Sequence, residues 1–335
     1  VNLPIFQDAM VLTNSQLATF RTCQRKEWFK SVAGVVPENQ STALRFGTNI
    51  HYGIEVRGKG RSIDDALAAV ERIYLDMPSN VTEREWQIER EVVMTLLRGY
   101  FWFWERPEVP EHLRTIMFVA CEEQFMLKIP RSKYRFAGKI DGIAILGDGR
   151  KAVVETKTSS EDISPDSDYV ARLRIDNQIS GYVVGARSLK YAVETVLYNI
   201  IKKPTIRPLS ATPPEARKYT KEGKLYASQR EVDETPAEFR DRLSADIEAD
   251  PTKYYARYEI PRLDGDIREW WLELGQTAKQ IAAARKDNHK VRNTAACLTY
   301  GRCPYLNVCH SGIDSDGSVP SGFRRVERIH EELNQ

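Results

Sequence analysis

The sequence has no G-x-x-x-x-G-K-[ST] segment, so the chain carries no phosphate-binding loop with which to drive unwinding from ATP. No apolar run approaches the roughly 20 residues that a bilayer span requires, and no membrane contact is expected. Internal repeats and low-complexity tracts are also missing. Net charge is nearly absent: 49 Lys+Arg stand against 47 Asp+Glu, a balance of +2, so any polyanion must be met by a local basic patch. The opening "VNLPIFQDAM" has neither a basic start nor a long apolar stretch, shows no secretory signal, and leads us to expect a cytoplasmic protein. Apolar residues make up 41% and charged residues 29%, the proportions of a globular chain, and 335 residues suffice for one large domain or two ordinary ones.

Cysteine is scarce and unevenly placed. Cys23 lies near the start, Cys121 in the middle, and Cys297, Cys303 and Cys309 together near the end. In a cytosolic chain such a cluster points to metal ahead of disulfides. Three thiols within thirteen residues need a fourth ligand from elsewhere, and Cys23 is the natural candidate. Zinc would suit such a set, with His310 as a spare ligand. Cys121, in "MFVACEEQF", has no partner and reads as core.

Hydrophobic spacing predicts one amphipathic helix over 13–32, and a second beginning after Gly47-Thr48 and ending at Gly58 or Gly60. Further helices are expected over 62–76, 83–105 and 171–188, near 235–249, and over 264–287. "TIMFVACEEQFMLKIP", "YRFAGKIDGIAIL" and "KAVVETKTS" read as an antiparallel meander, the last two strands joined by the turn "GDGR". "AVETVLYNIIKK" reads as a fully buried strand and "YYARYEIPR" as another. Residues 204–252 read as an exposed excursion. Strands in meander followed by helix and strand make an α/β or α+β core, a central mixed sheet flanked by helices.

Alternation along "VVETK" sends Glu155 and Lys157 to the same side of their strand. A turn near 148–149 would set position 141 opposite about 156, bringing Asp141 beside both. Two carboxylates can hold a cation such as Mg²⁺ against phosphate oxygens, and a lysine can orient or help deprotonate a metal-bound water and steady charge on the phosphate. An isolated E-x-K is otherwise a surface ion pair worth at most about 1 kcal/mol.

The order "GTNIH", "GKID", "VVETK", "QISGY" across residues 47–182 resembles the PD-(D/E)XK nuclease superfamily, and within it the RecB-like exonucleases, which include small CRISPR-associated and phage-encoded enzymes. The resemblance implies a restriction-endonuclease-like core and a bacterial, archaeal or phage-encoded deoxyribonuclease using Mg²⁺ or Mn²⁺. His51, Asp141 and Glu155, with the carbonyl of Thr156, would be metal ligands. Lys157 would be the catalytic lysine, and Gln178 and Tyr182 would contact DNA or support the site. Ile140 stands where the superfamily's nominal Pro would be. The resemblance also implies a [4Fe-4S] cluster on Cys23, Cys297, Cys303 and Cys309 that fastens the two ends of the chain, with zinc as the competitor. The commonest C-x2-C-x5-C spacing is kept only in "CPYLNVC", with Tyr300 in the place of a cysteine.

The resulting expectation is an exonuclease acting on DNA ends or single strands in recombination, repair, phage DNA processing or CRISPR adaptation, with any helicase, recombination or adaptation protein a separate partner. A structure-selective endonuclease, or a non-catalytic DNA-binding subunit with a vestigial site, are the alternatives. The expected organisation is a helical segment 1–45, a nuclease core 46–205, an excursion and strand 206–262, and a C-terminal helix with the cysteine segment 263–335. "RTCQRKEWFK", "VRGKGR", "RLR" and "GFRRVER" are candidate basic surfaces, each equally readable as a solvated face. The aromatic run 100–104 could stack on bases, though such spacing is more often core.

Overall fold

A computed structural model describes residues 10–288, 290–299, 301–311, 319–326, 329–330 and 333. Tyr300 and residues 327–328 of the basic tail therefore lie outside the described residues. Among the described residues come first a two-residue strand β1 (Val11–Leu12), helices α1 (Asn14–Thr22) and α2 (Gln24–Ser31), and strand β2 (Val35–Pro37). Helices α3 (Thr42–Gly58), α4 (Ile63–Ile73), α5 (Glu83–Trp104) and the short α6 (Glu111–Arg114) follow. Strands β3 (Ile116–Lys128), β4 (Arg135–Leu146) and β5 (Lys151–Ser159) then form the expected meander. After them come α7 (Asp168–Leu173), α8 (Asn177–Ser188), β6 (Thr195–Lys202), α9 (Pro236–Ala249), β7 (Tyr255–Glu259), α10 (Asp264–Lys286), α11 (Leu306–Ser311) and β8 (Phe323–Arg325).

The main sheet is mixed. β3 runs antiparallel to β4 along its whole length, while the other edge of β4 is shared: β5 pairs antiparallel with Gly142–Ile145, and β1 pairs parallel with Arg135 and Phe136. β6 lies parallel to β5 and β7 antiparallel to β6. Alternate residues of β6 serve opposite faces, as a strand buried on both sides requires. Val196, Tyr198 and Ile200 join Phe136, Ile179, Trp270 and Leu274 in a core with α8 and α10. On the other face Ile201 joins Ile50, Leu97, Tyr100 and Tyr255, packed with α3, α5 and α9. β2 and β8 form a separate two-stranded sheet that ties residues 35–37 to 323–325.

Several sequence expectations are revised. The single helix over 13–32 is two, because Cys23 is extended (φ −161°), ending α1 with its N–H on the Thr19 carbonyl and starting α2. Helix α3 starts not after Gly47-Thr48 but at Thr42, where Ser41 caps it by accepting the Leu44 N–H. Gly47 is inside the helix for a packing reason: a Cβ there would stand 3.2 Å from Thr158 Oγ1, so glycine lets α3 close on the end of β5. The helix expected over 171–188 is divided, and Asp176 caps its second half by accepting the Gln178 N–H. The excursion 204–252 is exposed only in part, since α9 buries Phe239, Leu243 and Ile247. In the aromatic run, Tyr100, Phe101 and Trp104 are buried core, so the stacking role fails for them.

Candidate active site

The β4–β5 ladder ends at Gly142 and Val154, a register that puts Asp141 level with Glu155 and not Thr156 as expected. Beyond that point β5 leaves β4, and the gap before β1 joins the same edge is where the two carboxylates stand. Separation of the strands frees the Thr156 N–H from the ladder, and it donates instead to Asp141 Oδ2 at 3.0 Å. Helix α3, held close by Gly47, brings His51 Nδ1 to 3.3 Å from the same oxygen. Glu155 and Lys157 project toward α8. The Lys157 ammonium donates to Glu155 Oε1 at 2.7 Å and to Gln178 Oε1 at 2.7 Å. Gln178 Nε2 in turn donates to the Tyr182 hydroxyl at 2.9 Å, the four-residue spacing putting both on one face of α8. All seven residues singled out from the sequence thus converge, with Tyr182 one step removed from the others.

Two contributors were not singled out. Asp176 Oδ2 lies 3.5 Å from Lys157 Nζ, giving the ammonium a second carboxylate. Its place just before α8 is a recognisable capping signal in "IDNQIS". Asn199, on β6 beside Thr156, donates from Nδ2 to Thr156 Oγ1 at 3.3 Å. No local pattern marks a buried Asn inside a strand as part of a site.

The site opens into a cleft of about 1060 Å³ lined by α3, the middle of β4, the second half of β5, and residues of α4. Asp141 and His51 keep 23% and 34% of their side-chain surface exposed to it, while the Glu155 side chain keeps only 3%. Burial would raise both carboxyls, but the two diverge. Against that penalty, the charge and hydrogen bond of His51 and the Thr156 N–H hold Asp141 below the usual carboxylate range. Glu155 is pushed up to about 7, by burial first and by the Asp141 charge second, with Lys157 offsetting only part. Burial would lower His51 and Lys157, yet facing carboxylates more than compensate and both are raised.

As they stand, no three His, Cys, Asp or Glu side chains among the described residues are drawn close enough to hold a metal ion. His51 and Lys157 occupy the carboxylates instead. The donor set nevertheless fits a hard divalent cation: two carboxylates, an imidazole and the carbonyl of Thr156 at an open cleft. Glu155 Oε2 is the sharpest sign, a buried oxygen with no hydrogen-bond partner.

In a separate cavity of about 190 Å³, Cys23, Cys297, Cys303 and Cys309 all line the wall. The thiol of Cys297 is raised, by burial first and then by Cys303, Cys23 and Cys309. Arg25, Lys26, Arg292 and His310 share the cavity wall. Around it, the Phe29 and Tyr305 rings stack at 5.3 Å, Asn293 Nδ2 donates to the Thr22 carbonyl, and Glu27 pairs with Arg285. The N- and C-terminal segments are thereby joined. Cys121 is half-buried beside the cleft that Asp141 and His51 face, its thiol pushed up to about 11 by burial.

The four basic stretches do not gather at the cleft. Among their described residues only Lys59 lines it, and Lys59 is paired with Glu55. Arg21 is held by Thr277, and Arg172 by Glu161.

Comparison with known proteins gives one family match of wide extent: a family model described as the PD-(D/E)XK nuclease superfamily matches residues 11–310. Among solved structures, a candidate exonuclease from Eubacterium rectale is 12% identical, covering 91% of this chain and 94% of its own at a TM-score of 0.46. SSO0001 is 14% identical, covering 80% and 85% at a TM-score of 0.29. Scores this low do not bear on activity. No curated protein matches the chain significantly.

Proposed function

The chain belongs to the PD-(D/E)XK nuclease superfamily, and from that premise we propose that it is a Mg²⁺- or Mn²⁺-dependent deoxyribonuclease of the RecB-like kind, cutting DNA as an exonuclease from ends or along single strands. One observation carries this reading. Asp141, Glu155 and Lys157 meet at the opening of the β4–β5 ladder, with His51 on one side, Gln178 on the other and a cleft before them.

His51, Asp141, Glu155 and the Thr156 carbonyl would hold the cation, which when bound supplies positive charge to polarise the scissile phosphate and favour ionisation of water. The remaining work falls to the protein. Lys157, whose proton is held by Glu155 and Asp176, is suited to stabilising charge that develops on the phosphate and to orienting water. It is less suited to taking a proton, because its ammonium is the favoured form. Gln178 fixes the direction of the ammonium, and Tyr182 fixes Gln178. Such fixed donors cost no reorganisation as charge develops.

The four cysteines would hold a [4Fe-4S] cluster. Arg25, Lys26 and Arg292 on the cavity wall suit a metal site whose four thiolates leave it negatively charged overall.

Digestion of 5′- and 3′-end-labelled single- and double-stranded DNA tests the nuclease reading. Wild type should release label with Mg²⁺ or Mn²⁺ and not in EDTA, and Asp141→Asn should abolish release. Equal digestion by the variant would remove the assignment.

A further inference from the structure

A second groove, of about 790 Å³, lies beside the nuclease cleft and is separated from it only by the first turn of α3 and the end of β5. Ala43 lines both hollows. Thr158 lines the first and Ser160, two residues on, lines the second. The floor is apolar: Val81, Val92 and Ile206 are partly buried against the core, with Ile88 and Pro208 beside them. Two cations stand over it. Lys203 is half-buried, its ammonium 4.9 Å from the Phe46 ring centroid and donating to the Ala43 carbonyl at 3.4 Å, while Arg207 is exposed. Among the described residues neither is paired with a carboxylate.

The acids lining the groove are already engaged. Glu89 is buried in a bidentate pair with Arg45, whose Nε donates at 2.8 Å, and Glu85 accepts the Thr82 N–H at the start of α5. The charged side chains left to act on a ligand are therefore the two cations, over a floor that is mainly apolar with Asn80, Ser160 and Thr205 at its border. Unstacked bases match that floor, and phosphates match the cations. A duplex keeps its bases stacked inside and has nothing to offer the floor.

We propose that a single DNA strand passes from the nuclease cleft over the first turn of α3 into this groove, with Lys203 and Arg207 on its phosphates. The proposal rests on the nuclease reading and adds the path that the substrate takes. The groove makes the site one that holds several nucleotides on one side of the scissile bond, and gives single strands an advantage over duplex of equal length.

Fluorescence anisotropy of a labelled 20-nucleotide single strand, titrated with full-length protein in EDTA, reads the groove without cleavage. The Lys203→Gln/Arg207→Gln double variant should bind about tenfold more weakly than wild type, with a salt slope shallower by about 1.4, the value for two phosphate contacts on a single strand. Its melting temperature should match wild type, and a blunt duplex of the same length should lose little affinity. Ile206→Asn, which makes the floor polar and keeps both cations, should also weaken the single strand. Unchanged single-strand affinity and slope in the double variant, or an equal loss for duplex, overturns the proposal. Binding is read without chemistry, so this failure is distinct from failure of the nuclease reading, which the Asp141→Asn digestion decides.

Discussion

Replacing Glu155 by glutamine removes a charge while keeping the shape of the side chain, at a carboxyl that is 2% exposed and has one oxygen without a partner. Its ordinary value is 4.5, and burial followed by the Asp141 charge pushes it to about 7. The folded protein therefore holds this proton more tightly than the unfolded chain does. The stability it contributes is fully present below pH 4.5 and is lost as pH rises through about 7. A difference of that size is on the order of 3 kcal/mol. Spread over the unfolding entropy of 335 residues, it corresponds to about 4 °C in melting temperature. In EDTA, thermal melts of wild type and Glu155→Gln should converge toward pH 4.5, and at pH 8 the variant should melt higher by about that amount. Mn²⁺ added at pH 8 should raise wild type, whose ionised carboxylate gains a partner, and leave the variant nearly unmoved. Parallel pH profiles for the two proteins would refute the reasoning, since Glu155 would then feel no more than an exposed glutamate does.

Three other outcomes follow from contacts already described. Lys157→Ala should lower kcat on end-labelled DNA by about 10²–10³-fold with KM little changed, because the donor lost acts on charge that develops during reaction; a change confined to KM would contradict this. Arg45→Leu should cost about 3 to 5 kcal/mol in chemical denaturation, since it leaves Glu89 buried without its partner. A cost near that of an exposed pair would show that the bidentate contact is not formed. Cys23→Ala should strip anaerobically purified protein of most absorption near about 400 nm, and wild type with stoichiometric zinc and no iron would decide against the cluster.

The sequence is informative where chemistry is local. The period-2 pattern of "VVETK", the turn "GDGR" and the apolar run of β6 are short-range signals, and the corresponding strands form as expected. Signals that depend on distant packing are read less well. Gly47 looks like a helix start because glycine usually interrupts helices, yet here it serves close contact between α3 and Thr158. Cys23 looks like one residue of a continuous helix, and nothing near it foretells the extended backbone that turns it toward residues 297–309. The hairpin register is off by one because the β4–β5 pairing is fixed by where the ladder ends, and not by the turn residues alone. The site residues survive that slip, since a wide opening accommodates Asp141 opposite either neighbour.

The aromatic run on α5 acquires a purpose from behind the sheet. Asn199 stands between Thr156 of β5 and Arg257 of β7 in register. It donates to Thr156 Oγ1, and its own oxygen accepts from the Arg257 guanidinium at 3.2 Å and from the Tyr100 hydroxyl at 3.0 Å. Arg257 is 9% exposed, and among the described residues it pairs with no carboxylate. Its charge is met by the Trp104 ring at 3.9 Å, the Tyr100 hydroxyl at 2.7 Å and the Leu113 carbonyl. A buried arginine would ordinarily be matched by an acid. An acid here would add a further negative charge, two strands from Thr156, to a sheet that already carries Asp141 and Glu155. Ring faces and carbonyl oxygens stabilise the guanidinium without that penalty. Tyr100 and Trp104 thus have a use in the core, holding a buried guanidinium that is tied through Asn199 to Thr156.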